Sequence, residues 1–336
     1  MIFFISIFVT FISIIFLRPY AKKVQLIDLP SKRKVHSGEI PIIGGICIFI
    51  GFNISVLGHY NDFNLMLACS FIGFFILLLG LIDDFYPLSP LYKILAQISI
   101  ISLMVYATGY KFDTFGHSFG LTNQISLGLF SYPVTILGIV FVINAYNLMD
   151  GTDGLLGLLV FLALVGIKIT DIIDGIYFIH PIFLALMGSL ISFLWFNLIT
   201  NRNKIFLGDA GSLYLGYIIS FLLLYKTQNS QNFSPTYALW IIAIPVFDAI
   251  SVILYRFKKS RELFIPDRNH LHHFLQRLGF SNKLVISIIF CLGLLILLLG
   301  LLIEYNYRFL SFPVFVFVFI FFIWVRVYSR FSKFNL

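Results

Sequence analysis

The chain of 336 residues is 60% hydrophobic and 11% charged, with a mean hydropathy of +0.98. A soluble domain carries roughly a quarter charged residues, so these values exclude one and indicate an integral membrane protein. The formal net charge is +8, but the basic residues are spread along the connections between apolar runs, which argues against a nucleic-acid-binding surface.

Eleven apolar runs have the length and composition of membrane-spanning helices. We therefore predict an all-α integral membrane protein, a polytopic bundle that forms one domain over residues 1–336 and carries its motifs between about residues 34 and 279. The runs lie near residues 2–17, 41–58, 65–82, 94–108, 132–145, 155–169, 178–196, 213–225, 237–255, 284–303 and 312–327.

Basic residues predict the orientation of this bundle. Nineteen of the 23 Lys and Arg residues lie in the connections after odd-numbered runs and in the C-terminal tail. The positive-inside rule assigns that side of the membrane to the cytoplasm. The sequence thus predicts an N-terminus outside and a C-terminus in the cytoplasm.

The first two connections on the basic side carry charges that suit a phosphorylated substrate. Lys34, in SKRKVHSGEIPIIGG, either contacts phosphate or only helps to orient the chain. Asp83 and Asp84 follow an uncharged run, and Lys93 opens the next run. Because adjacent carboxylates near hydrocarbon are costly without compensation, the pair predicts a positive charge between or beside them.

The segment NAYNLMDGTDGL places Asn144, Asn147, Asp150 and Asp153 at every third residue after the fifth run. The intervening glycines disfavour one continuous helix. We predict that a helix ends near Asp150 and that Asp153 caps a new helix opening at Leu155. So many acids and amides at a membrane boundary favour a binding site over a plain turn.

Two further acids stand out later in the chain. In FLGDAGSLYLG, Gly208 admits close backbone approach at a helix start, and Asp209 either holds a cation bridging to a bound anion or acts as a plain N-cap. Asp248 lies roughly 10 Å inside the ninth run. An acid at that depth is functional or is bonded to a neighbouring helix, and we predict an intramembrane polar site there.

The last long basic connection ends in PDRNHLHHFLQRLGFS. Its HLHH sequence lacks the cysteines or carboxylates of a structural zinc site. Arginine and histidine donors suit phosphate, or the charge that develops on a diphosphate. The predicted phosphate-binding residues of this connection are Arg268, His270, His272 and His273.

Taken in chain order, these motifs resemble those of the polyprenyl-phosphate N-acetylhexosamine-1-phosphate transferases, over about residues 34–279. The DRNHLHH form and the eleven runs look like the WecA and TagO branch of that family. The resemblance implies transfer of an N-acetylhexosamine 1-phosphate, by default GlcNAc-1-phosphate, from a UDP-sugar to undecaprenyl phosphate, with release of UMP. It places the enzyme in a bacterial plasma membrane with its active site on the cytoplasmic face, where the product would start a cell-surface polysaccharide.

The resemblance also implies a role for each motif. Asn147 and Asp209 would bind Mg²⁺, for which Mn²⁺ could substitute. Asp83 and Asp84 would orient or deprotonate the lipid phosphate, and Lys93 would neutralise it. The remaining motif residues would bind substrate: Lys34, Asn144, Asp150, Asp153, Gly208, Arg268, His270, His272 and His273.

Two other functions fit the sequence less well. One is an MraY-type phospho-MurNAc-pentapeptide transferase, although that branch typically reads HHH and has ten spans. The other is a secondary transporter, but transporters usually show repeated halves and sites near the bilayer midplane, whereas only Asp248 lies deep here. The expected partners are the two substrates, the lipid bilayer and, by resemblance, a second copy in a homodimer, with no nucleic acid.

Overall fold

A computed structural model describes residues 1–29, 38–57, 59, 63–114, 125–176, 180–200, 202–230, 233–258 and 269–331. Within these ranges the chain is mostly helical, and its one sheet is a short hairpin. The hairpin strands are β1 (Ile27–Asp28) and β2 (Ile40–Pro41). The helices are α1 (Ile2–Lys23), α2 (Gly44–Val56), α3 (Phe63–Met66), α4 (Gly73–Phe85), α5 (Pro90–Thr108), α6 (Ser131–Asn147), α7 (Leu155–Ile173), α8 (Pro181–Leu194), α9 (Gly208–Asn229), α10 (Pro235–Ile241), α11 (Ala243–Lys258), α12 (Leu271–Arg277), α13 (Asn282–Asn306) and α14 (Arg308–Phe331).

Nine helical segments of the described chain are long and apolar enough to cross a membrane. A π-helical turn over Leu67–Ile72 joins α3 to α4 in one of them. Helices α10 and α11 form a tenth candidate, although they are bent by 80° at the residue between them. Helix α2 is apolar but has only 13 residues. Each of the eleven predicted runs coincides with one of these segments, so the prediction of an all-α, polytopic membrane protein is confirmed.

Helix α9 lies at the centre of the bundle. In the most apolar stretch of α9, 83% is buried. The corresponding buried share is 17% for α1 and 11% for α14, which form the lipid-facing periphery. The eighth predicted run begins at residue 213, but α9 already begins at Gly208. Its polar first turn is helical because protein groups satisfy the backbone amides there, so the motif FLGDAGSLYLG belongs to the central helix.

Close contacts between small residues bring three helices together at the start of α9. A side-chain carbon on Gly45 of α2 would overlap the backbone of Gly211, and one on Gly80 of α4 would overlap the backbone of Ala210. Only residues without a side chain allow this approach. The glycines therefore place the end of α4, with its two aspartates, against the first turn of α9.

The β1–β2 hairpin brings the connection between α1 and α2 to the start of α9. In β1–β2, Asp28 pairs with Ile40. The chain after β2 then pairs with the segment that leads into α9: the Phe206 amide donates to the Pro41 carbonyl at 2.8 Å, and the Gly44 amide donates to the Phe206 carbonyl at 2.9 Å. Asp28 is thereby held near the start of α9.

Candidate active site

The first turn of α9 holds the carboxylate of Asp84. The backbone amides of Asp209 and Ala210 donate to its two oxygens at 2.8 and 3.0 Å. Gly208 has a φ of +76°, and a side-chain carbon there would lie 2.7 Å from Asp84 Oδ2. The predicted anion site at a helix start therefore exists, and the protein's own carboxylate fills it.

Lys93 bridges the two remaining acids of this region. Its Nζ lies 2.6 Å from Asp83 Oδ2 and 3.3 Å from Asp209 Oδ2. The amide of Leu88 also donates to Asp83, at 2.7 Å. The structure thus supplies the positive charge that adjacent acids near hydrocarbon require, and it comes from α5.

Asn147, at the last turn of α6, contacts the other side of Asp209. Its Nδ2 lies 2.6 Å from Asp209 Oδ1 and 2.7 Å from Ser212 Oγ. Because the side chain of Asp209 bonds to these groups, and Asp84 bonds to the helix amides, Asp209 does not act as a plain N-cap. Asn144, one turn earlier, instead donates to Gln97 Oε1 at 2.6 Å, away from Asp209.

Helix α7 begins at Leu155, as predicted, whereas α6 ends at Asn147, three residues before the predicted end near Asp150, so the turn runs from residue 148 to 154. Asp153 does not cap α7. Gly154 is the N-cap residue, with a φ of +72° and no side-chain capping bond. The carboxylate of Asp153 pairs with Lys204 instead. The expected cap was wrong because a basic side chain from a distant part of the sequence competes for this acid. Asp150 is exposed in the same turn.

The three histidines near α12 have different surroundings. His270 Nδ1 lies 2.6 Å from Asp248 Oδ2, so the predicted intramembrane acid is bonded within the protein. The His272 side chain is buried against Gly151, and both of its ring nitrogens lack a hydrogen-bond partner among the described residues. Burial, followed by the charge of His273, lowers the pKa of His272 to about 3. His273 bonds to Gln276 Oε1 at 3.0 Å.

These segments surround a cavity of about 740 Å³ at one end of the bundle. Six of the predicted site residues besides His273 form part of its wall. They are Asp84, Asn147, Asp150, Asp153, Gly208 and Asp209.

The other predicted residues have different positions. Lys93 adjoins the cavity through its contact with Asp209, and Asp83 is bonded to Lys93. Four residues are not among those that form the wall: Asn144, Asp248, His270 and His272. Each of the first three uses its polar group to bond a neighbouring helix or segment, and His272 is covered by the 148–154 turn. Lys34 and Arg268 lie outside the described residues.

The wall also includes residues that the sequence did not single out, among them Asp28, Asn197, Lys204 and Phe206. Asp28 and Lys204 carried a usable signal, since both lie in connections on the basic side of the predicted topology. Asn197 and Phe206 carried none, because an amide at the end of an apolar run and one more phenylalanine do not stand out.

The charge of the cavity wall suits a cation. Five carboxylates form part of it, whereas Lys204 is the single Lys or Arg among its described residues. A diphosphate would be repelled from such a wall unless a cation lay between them. The carboxylates are those of Asp28, Asp84, Asp150, Asp153 and Asp209.

The side chains of the cavity wall suit Mg²⁺, which keeps water and substrate ligands, better than a metal whose ligands all come from the protein. Among the described residues, no group of three or more His, Cys, Asp or Glu side chains is arranged to hold a metal ion. Magnesium usually binds through one or two carboxylates and completes its octahedron with water and substrate phosphates. Asp209 could supply a carboxylate and Asn147 an amide oxygen, provided that the amide of Asn147 turned to present that oxygen.

The bundle and its acidic cavity define a multi-pass membrane enzyme whose polar site lies at one end of its helices. Comparison with known proteins identifies the family. The sequence profile of Glycosyl transferase family 4 matches residues 65–227. The chain is 34% identical over 311 residues to the undecaprenyl-phosphate alpha-N-acetylglucosaminyl 1-phosphate transferase of Escherichia coli K12, which covers 90% of this chain and 83% of that protein.

Two further relatives agree. A probable undecaprenyl-phosphate N-acetylglucosaminyl 1-phosphate transferase of Bacillus subtilis is 34% identical over 296 residues, 86% of this chain and 81% of that protein. An undecaprenyl-phosphate alpha-N-acetylglucosaminyl 1-phosphate transferase of Yersinia pestis is 33% identical over 293 residues, 85% and 79% of the two chains. The chain belongs to glycosyl transferase family 4, and the family resemblance seen in its motifs is confirmed.

Proposed function

We propose that this protein transfers N-acetylglucosamine 1-phosphate from UDP-N-acetylglucosamine to undecaprenyl phosphate and releases UMP. The observation that carries the proposal is the convergence of Asp84, Asn147 and Asp209 on one acidic cavity in a chain whose relatives bear the name of this activity. The reaction transfers a sugar phosphate from a soluble nucleotide to a lipid phosphate in the membrane, with UMP as the leaving group. A polar cavity at the end of an apolar bundle gives both substrates access to one site.

Magnesium is the cofactor that this site supports best, with manganese as a substitute. When bound, the ion would neutralise the charge of the diphosphate and polarise the bond that breaks. Asp209 and Asn147 would hold it. The start of α9 that carries Asp209 is fixed before any ion binds, because the backbone amide of Asp209 donates to Asp84. Asn147 would give up the bonds from its amide nitrogen to Asp209 and Ser212 when its oxygen turned to the ion.

The geometry supports different roles for the two adjacent aspartates. Asp84 uses both oxygens to hold the first turn of α9, so it positions Asp209. Asp83 is bonded to Lys93 and to the Leu88 amide, so it positions the lysine. Lys93 would then contribute a positive charge to a phosphate, and Asp83 Oδ2 is the carboxylate oxygen placed to share or accept a proton at that point. Phosphoryl transfer depends mainly on such positioning and charge neutralisation.

Lys204 and His273, which also form part of the cavity wall, would contact the donor. Lys204 pairs with Asp153, and its Nζ also lies 5.5 Å from the centroid of the Phe206 ring. A phosphate that entered the cavity would compete with Asp153 for this cation. His273 is the histidine of the HLHH sequence that forms part of the wall, so it would contribute the hydrogen-bond donor that the sequence expected of the whole group.

The function is tested with purified protein in detergent, undecaprenyl phosphate, Mg²⁺ and a panel of UDP-sugars. We expect UMP and a lipid-linked sugar to form in equal amounts with UDP-N-acetylglucosamine, and more slowly with other N-acetylhexosamines. Removing Mg²⁺ with a chelator should stop the reaction, and adding Mg²⁺ or Mn²⁺ should restore it. Absence of UMP release with every donor would refute the proposal.

We also propose that the acidic cavity faces the cytoplasm and that eleven spans place the N-terminus outside. The support is the distribution of Lys and Arg, and the coincidence of each predicted run with a helical segment. Asn203 and Asn229 are exposed residues near opposite ends of the α9 region. In a Cys291→Ser background, a membrane-impermeant thiol reagent applied to intact cells should label Asn229→Cys and spare Asn203→Cys. The reverse labelling would overturn the orientation.

A further inference from the structure

Asp248 is a buried acid that the proposed reaction does not use. Its side chain is fully buried in α11, yet each of its oxygens has partners. Oδ2 lies 2.6 Å from His270 Nδ1, while Oδ1 accepts from the amide of Leu271 at 2.8 Å and from Arg326 Nη1 at 2.6 Å. A carboxylate with three donors from two other segments holds those segments together.

One of the bonds replaces a missing helix cap. His270 is the N-cap residue of α12, but its side chain makes no capping bond. Asp248 accepts the amide of Leu271, the first residue of α12, and so caps this helix from another helix. Helix α12 has only seven residues, too few for a helix to be stable on its own, so an external anchor largely determines where it begins.

The other anchor comes from the end of the chain. Helix α14 is mostly exposed to the surroundings of the bundle, but Arg326, near its C-terminal end, is only 6% exposed. Its guanidinium donates to Asp248, to Ser251 Oγ and to the carbonyl oxygen of Asn269. Arg326 thus ties the residue before His270 to α11.

These anchors lie at the base of the segment that reaches the cavity. Three residues after His270, His273 forms part of the cavity wall. Between these two histidines in the sequence, His272 lies so close to Gly151 that residue 151 has no room for a side chain. A shift at the start of α12 would therefore move both His272 and His273 relative to the 148–154 turn.

We propose that Arg326 and Asp248 are positioning residues that fix the His270–His273 segment against the acidic cavity. Helix α14 thereby contributes to a site although none of its described residues forms part of the cavity wall. The catalytic part of this inference rests on the proposed function, whereas the structural part does not.

The experiment separates positioning from general stabilisation. Arg326→Met alone leaves the buried carboxylate of Asp248 without the guanidinium charge that compensates it, and breaking one side of a buried ion pair is usually destabilising. The double variant Asp248→Val/Arg326→Met removes both charges, and such neutral replacements often restore stability. We expect this double variant to unfold within a few degrees of wild type in detergent. Hydrogen exchange of residues 269–277 should nevertheless become at least tenfold faster, and turnover at least tenfold slower, with exchange in α9 unchanged.

A double-mutant cycle then tests whether the Asp248–Arg326 pair acts through His273. If Arg326 acts through this histidine, adding Arg326→Met to His273→Ala should lower turnover by less than threefold beyond His273→Ala alone. The matched control is Asp171→Asn, which breaks a buried ion pair with Lys226 at the other end of α9 and should leave turnover per folded molecule unchanged in both the wild-type and the His273→Ala background. Unchanged exchange at residues 269–277 in the double variant, or wild-type turnover, would overturn the inference. If the wild-type protein shows no transferase activity, the exchange result still decides whether Asp248 and Arg326 fix the His270–His273 segment.

Discussion

Replacing Asp209 with asparagine separates a metal ligand from a structural acid. The side chain keeps its size and its hydrogen-bonding reach but loses the negative charge that binds a hard cation. The charge of Asp209 lies 3.3 Å from Lys93 Nζ, a gross attraction of about 5 kcal/mol at an effective dielectric constant of 20. Asp209 is 36% exposed on its side chain, and Lys93 keeps Asp83 at 2.6 Å, so the net loss of folding stability should be only about 1 kcal/mol.

The effect on catalysis should be much larger. Loss of metal-assisted charge neutralisation is commonly worth several kcal/mol, so we expect turnover of Asp209→Asn to fall at least about a hundredfold, or about 2.7 kcal/mol. The assay is UMP release per folded molecule across a range of Mg²⁺ concentrations, with the thermal unfolding midpoint measured in the same detergent. Asp171→Asn serves as the control, because breaking its buried pair with Lys226 should lower the midpoint and leave turnover per folded molecule unchanged.

Near wild-type UMP release by Asp209→Asn at limiting Mg²⁺ would refute the metal assignment. So would a fall in turnover that matched the fall in folded protein, since that pattern indicates a structural acid. Because Asp84, and not Asp209, caps α9, asparagine at residue 209 should leave the helix start intact.

Three further predictions follow from the cavity wall and its neighbours. Gly151→Ala should lower turnover about tenfold by displacing His272, whereas Gly138→Ala, with open space around the added carbon, should have no effect on UMP release. Lys204→Met should raise the KM for the UDP-sugar about tenfold without changing the KM for undecaprenyl phosphate, because Lys204 is the single Lys or Arg among the described wall residues. The pKa of His272 is lowered from 6.5 to about 3, so between these pH values the unfolded chain binds a proton that the native protein does not. The contribution of neutral His272 to the free energy of unfolding should therefore be fully present above pH 6.5 and decrease as the pH falls, by about 2 kcal/mol at pH 5. Unfolding midpoints of wild type and His272→Gln that ran parallel from pH 8 to 5 would contradict this.

The helices were predictable because long apolar runs admit few alternatives in a membrane. The gathering of the motifs at one end of the bundle also followed from sequence, since alternate connections must lie on the same side. Asn147 and Asp209, 62 residues apart, meet as the resemblance implied. This part of the site depends on topology, which hydropathy and charge encode strongly.

Side-chain partners from distant segments were not predictable. The sequence treated His270, His272 and His273 as one phosphate-binding group, but only His273 reaches the cavity wall, because Asp248 takes His270 and the 148–154 turn covers His272. Asp153 was expected to cap α7, but its carboxylate forms an ion pair with Lys204 instead. Each result depends on which donor lies nearest in space, and local spacing carries no information about that distance.

The carboxylate of Asp84 on the first turn of α9 has a consequence for the design of inhibitors. A phosphonate or another anionic mimic of the donor diphosphate gains little from the amides of Asp209 and Ala210, since Asp84 already binds them and would have to be displaced. An uncharged ligand that accepts a hydrogen bond from His273 and covers Phe206 avoids both that competition and the repulsion from the acidic wall. Affinity for this cavity should therefore be sought in neutral, shape-complementary compounds before it is sought in added negative charge.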